Sequence, residues 1–388
     1  MLLNYAQTAS KFGAVLASSI QKLVGFFLIF DPAFQHLADG VDVSSDTYTD
    51  FYFVRHESDS SGQATYQIFN PGVNTATISA TAYDYLGNVQ GTANFTVPVK
   101  GVHPFAFNSI ASSSGYIHVT SDRPVSGVEI FGNSNEVAAL RAAPAGTETR
   151  LFFPHFAVNG GYTSVIGVVN TSTSPANLIL TAYADNGSIL AAPVQLKLNG
   201  NGQVVESASD LFGLGPGGII TGYIIATSDQ PGITGFSAFN YTNGSVSSVS
   251  AVPSQSVPQP MLIFSHIANL WPSGTPNDPY LTGIALLNPY GTQVGYLMKV
   301  FDGSGNEVGE MTDILGPYQK VSKLLSWSTP GAGFFTSSDS TFQLGSGHIE
   351  VTALDPTTGS AGYQLLGFEM FFTLSQSQLA AVMAQFPN

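Results

Sequence analysis

The 388-residue chain has no cysteine, which removes disulfides, thiolate metal sites and cysteine nucleophiles together. Charge is scarce as well. Asp, Glu, Lys and Arg make up 9% of residues, against roughly 25% in an average soluble protein. The 11 Lys and Arg residues form no cluster, so neither nucleic acid nor an anionic membrane surface is an expected partner. The apolar run Leu23 to Phe30 stops at Asp31, well short of the roughly twenty residues that a membrane-spanning helix needs. No Gly-x-Ser-x-Gly elbow occurs, and no carboxylate pair recurs in a pattern suited to acid–base work. Neither an enzyme nor a cofactor is expected.

What is present is bulk without charge. Hydrophobic residues reach 44%, with 27 Phe and 16 Tyr, so the chain has ample material for a core and is not disordered. Gly, Ser, Thr and Asn take the place of Lys and Glu. A polar, uncharged surface of this kind suits a structural protein of the cell exterior.

The main feature is a pattern written three times. Phe69-Asn70-Pro71 precedes Tyr83, Val169-Asn170-Thr171 precedes Tyr183, and Leu287-Asn288-Pro289 precedes Phe301. Upstream, a histidine closes an aromatic or apolar run at His56, His155 and His266. Downstream, Gly115-Tyr116, Gly222-Tyr223 and Gly347-His348 open a further run. Each copy ends in a last apolar stretch: Val137 to Leu140, Val246 to Val252, and Leu379 to Met383. Alternation such as Ile78, Ala80, Ala82 is that of half-buried antiparallel strands. Asn-Pro-Gly, Asp-Asn-Gly and Asp-Gly-Ser-Gly supply the turns. The expected fold class is all-β: three tandem immunoglobulin-like antiparallel sandwiches, at 46–147, 148–254 and 255–388. They follow a hydrophobic segment at 1–45 expected to be helical.

The repeat resembles Ig-like modules of secreted, multi-repeat bacterial surface proteins. The motifs that carry the likeness are Phe153-Pro154-His155-Phe156-Ala157 with Asn159-Gly160-Gly161-Tyr162, and the stretch from Gly222 to Pro231. The resemblance implies export and a surface role, and it supplies no catalytic residues.

Three readings stand for residues 1–45: a retained assembly segment, a secretion signal, or a segment packed on its own chain. The assembly reading assigns Phe12, Val15, Leu16, Phe26 and Phe27 to a contact with a neighbouring copy. Five Asn-x-Ser/Thr triplets, at Asn94, Asn170, Asn186, Asn240 and Asn243, are candidate glycan carriers. Other motifs have plainer explanations. Gly213 to Gly218 matches a dinucleotide fingerprint only formally, and a turn is expected there. Asp302 to Glu307 resembles a calcium loop but sits where the other copies have hairpins. Asp39, Asp42, Asp46 and Asp50 are expected to be a solvated linker, and the repeated histidines to bond at strand ends. The functional expectation is an extracellular, self-assembling structural protein such as a filament subunit. The alternative is an adhesin or carbohydrate-binding module using Trp271, Tyr280 or Tyr290 as its sugar platform.

Overall fold

A computed structural model describes residues 17, 23–30, 37–56, 64–111, 114–132, 136–269, 278–327, 331–336 and 344–386. They form several small antiparallel sheets, with one short α-helix at Ala208–Phe212. Among them no helix is long and apolar enough to cross a membrane.

The leader is not helical where it is described. Phe26–Phe30 is a strand, paired antiparallel with Leu37–Asp42 from Phe26↔Asp42 to Phe30↔Leu37. A short apolar run cannot be assigned to helix or strand by periodicity, and Phe-Phe-Leu-Ile-Phe is rich in strand formers.

The expectation of three tandem Ig-like sandwiches is also corrected. Four small sheets stand around one axis in the manner of a four-bladed β-propeller. Three of them come from the three repeats and turn the strands Val137–Arg141, Val246–Pro253 and Leu379–Met383 toward the axis. The leader hairpin is the fourth, and its Leu37–Asp42 strand lies between Leu379–Met383 and Val137–Arg141. Further sheets pack outside, among them Arg150–Val158, Ile220–Ser228, Ala176–Ala184 and Val194–Leu198 from the second repeat. The long strand Gly115–Gly132 serves both layers of the first repeat. Its first half pairs with Tyr48–His56 and Ala76–Asp84, its second with Thr65–Phe69 and Val137–Arg141.

Burial explains why the repeats do not stand apart. The outer strand Ala176–Ala184 keeps an alternating pattern, but Leu379–Met383 is buried at every residue. A strand apolar on both faces must be covered on both. The cores therefore run across repeat boundaries. Val169, Phe236 and Ala251 of the second repeat pack with Phe51, Tyr52 and Ala143 of the first. Phe239 and Val252 pack with Ala285, Phe368 and Ala381 of the third.

The repeat landmark itself is built identically three times. The Asn70 amide donates to the Asn74 and Val97 carbonyls, and its oxygen accepts from Gly72 N–H. Asn170 does the same with Ser174, Asn199 and Ser172, and Asn288 with Thr292, Gly316 and Tyr290. All three are fully buried, and the side chain replaces strand pairing where the backbone turns.

Candidate functional site: the axial carboxylate

Asp39 lies on the axis, fully buried. Its Oδ2 accepts from the backbone N–H of Ala139 (3.1 Å) and of Ala251 (2.9 Å). Its Oδ1 accepts from Ala381 N–H (3.1 Å), the Ser250 hydroxyl (2.6 Å) and its own neighbour Gly40 N–H (2.7 Å). One carboxylate thus gathers a donor from the last strand of every repeat. Alanine at 139, 251 and 381 lets the three strands close in on it. Gly40 does the same on the leader, because a Cβ there would collide with the Val382 side chain.

Burial pushes the Asp39 carboxyl up to about 7, against the pull of its hydrogen bonds. The five donors hold it in place, and no side-chain cation is among them. Around this seat the leader is tied at both ends. Asp42 and Asp46 pair with Arg141 at 3.1 and 3.7 Å, and Arg141 is raised chiefly by the Asp42 charge. At the other end Gly25 N–H donates to Gln385 Oε1 (2.8 Å), and the Gln385 amide returns a bond to Gly25 O. A cavity beside Asp39 is lined by Gly40, Ala139, Ala251 and Ala381 among others. One residue further along each axial strand, Leu140, Val252 and Val382 face Glu129, Ser237 and Glu369, all fully buried. Burial raises both glutamates well above the usual carboxylate range.

Neighbouring repeats meet through a second repeated device. The Tyr116 hydroxyl donates to Asn201 O (2.8 Å) and the Tyr223 hydroxyl to Tyr318 O (2.7 Å). Each donor stacks on the aromatic of its own repeat, Tyr83 or Tyr183. Gln203 N–H donates to Tyr85 O, and Lys320 N–H to Asp185 O, both at 2.9 Å. In the first junction the Gln203 side chain donates to Val54 O (2.6 Å). In the second, the fully buried Lys320 ammonium reaches Gly222 O and His155 Nδ1, both at 2.8 Å, and Asp185 at 3.0 Å. Burial lowers Lys320 to about 8, and burial with the Lys320 charge holds His155 well below its usual value.

The residues expected from the sequence are scattered. Phe12, Val15, Leu16 and Trp271 lie outside the described residues. Phe26 packs on His266 and Phe371 of its own chain, with ring centroids at 4.7 and 6.2 Å, while Phe27 is 41% exposed. Burial lowers His266 to about 4. Of the triplet asparagines, Asn94, Asn186 and Asn243 are exposed and Asn240 half-buried. The Asn170 amide nitrogen is committed to two carbonyls inside the fold. Tyr280 bonds Gln378 and Tyr290 bonds Gln364, so both hydroxyls are tied to their own repeat. The Asp302 loop repeats the turn at Asp84, each carboxylate accepting from an Asn four residues on. Gly213 ends the short helix at φ 62°, so a helix precedes the glycines and a strand follows, the reverse of a dinucleotide site. Of the four acids expected as a solvated linker, Asp39 and Asp42 are buried, while Asp46 and Asp50 are exposed. Among the described residues no group of three or more His, Asp or Glu is placed to hold a metal.

Set against known proteins, the chain matches no family model and no curated protein.

Proposed function

We propose that the protein is a non-enzymatic structural component of the cell exterior that assembles with copies of itself. The observation that carries this reading is the iterated junction. The tyrosine and backbone bonds between the first and second repeats recur between the second and third, the mode by which extended arrays are built from stacked units. The low charge supports a role outside the cell. Asp39 and Lys320, both deeply buried, are held by groups of other repeats, which suits a structural scaffold better than a reacting site. Negative-stain imaging and light scattering of native material test the proposal. Extended or multimeric particles are expected, and a strict monomer over a wide concentration range removes it.

A further inference from the structure

We propose that the axial seat is an exchange site, and that its second occupant is the Leu37–Asp42 strand of another copy of this chain. The inference deepens the self-assembly reading and rests on it. Three observations carry it. First, the seat is made by the three repeats alone: Ala139, Ala251 and Ala381 contribute backbone N–H groups, and Ser250 its hydroxyl. An empty seat would leave buried donors without an acceptor, so it has a strong demand for a carboxylate on an extended strand. Second, among the described residues the two leader strands pair only with each other and join none of the repeats' sheets by backbone pairing. Third, it is joined to the first repeat by Val43 to Thr47, all exposed. A hairpin on such a tether makes the same bonds in its own ring or in a neighbour's, which is the condition for swapping an element between protomers. A chain that gives its leader to one neighbour and takes another's forms an open series.

The absence of cysteine allows a direct test on the full-length protein. A Cβ at Gly40 falls on the Val382 side chain, so Gly40→Cys and Val382→Cys are within disulfide reach when the hairpin is seated. The two substitutions are placed on separate copies with different tags, co-expressed and oxidised. A disulfide dimer carrying both tags is expected, and its absence overturns the proposal. Adding Asp39→Asn to the Gly40→Cys copy is expected to cut the dimer yield at least tenfold. An unchanged yield also overturns it, since the link would then not depend on the seat. A second measurement needs no cysteine. Removing Ser44 and Ser45 shortens the tether and is expected to move mass from monomer to dimer or larger in light scattering; an unchanged mass counts against exchange. Assembled native material without the two-tag dimer leaves self-assembly standing and removes the leader as its link. The two-tag dimer with no larger native particle does the reverse.

Discussion

The two junctions between repeats share one backbone plan, and a different side chain closes each. Gln203 and Lys320 stand at matching places, each receiving the preceding repeat's hairpin through its N–H. Gln203 closes its junction with one neutral bond to Val54 O. Lys320 closes the other with a carbonyl, a histidine and a carboxylate. The backbone bonds give the repeats their common angle, and the side chains make each junction particular. A hairpin with Asp185 suits a lysine, and one with Tyr85 at that place does not. Mismatched docking of repeats is thereby disfavoured, by the logic that sets register through a polar group at some cost in stability.

The largest effect is expected away from both junctions, at the axis where all three repeats meet. Asp39→Ala leaves three buried N–H groups without an acceptor. At about 1–3 kcal/mol for each group, a total loss of about 3–9 kcal/mol is expected, read as a fall in the urea midpoint. Lys320→Ala comes next, at about 2–4 kcal/mol, because Gly222 O and His155 lose their donor. Gln203→Ala should cost about 1–2 kcal/mol, and an equal loss at both positions would show that the charge adds nothing.

Titration separates the same sites. The folded form of Lys320, lowered to about 8, binds fewer protons than the unfolded chain between pH 8 and 10.5. Its contribution to stability therefore grows with pH across that window, and Lys320→Gln should flatten the rise in melting temperature there. Asp39, raised to about 7, binds more protons folded than unfolded between pH 3.8 and 7. Its contribution falls as pH rises through that range, and Asp39→Asn should remove that part of the slope. The smallest effect is expected for Tyr116→Phe and Tyr223→Phe. Each should cost about 1 kcal/mol by chemical denaturation, with closely equal values because the two bonds are equivalent.

Much of the local structure was legible. The Asn spacing at 70, 170 and 288 pointed to one turn built three times, and alternation over residues 77–83 gave the strand character of that segment. The joining of the repeats was not read. Its signal was present in the closing stretches of each repeat, which are continuously apolar where a half-exposed strand would alternate. The seat itself was hidden by distance, because Asp39 finds its partners 100, 212 and 342 positions away. No local pattern ties a lone aspartate to three alanines so far along the chain. Charge alone misled the reading of Asp39 and Asp42, since a buried acid can be held by backbone N–H groups or by an arginine.

The bond from Asp39 to Ala381 also bears on how the chain is made. The leader strand is synthesised early, yet its seat is incomplete until the strand at Leu379–Met383 has emerged. During translation the two leader strands must wait, with Phe26 and Leu28 uncovered, for almost the whole of the remaining polypeptide. Contacts of such long separation close slowly and leave an interval open to mispairing. A nascent chain released before residue 379 would keep an unclaimed apolar hairpin, a feature that a chaperone or protease can recognise as unfinished.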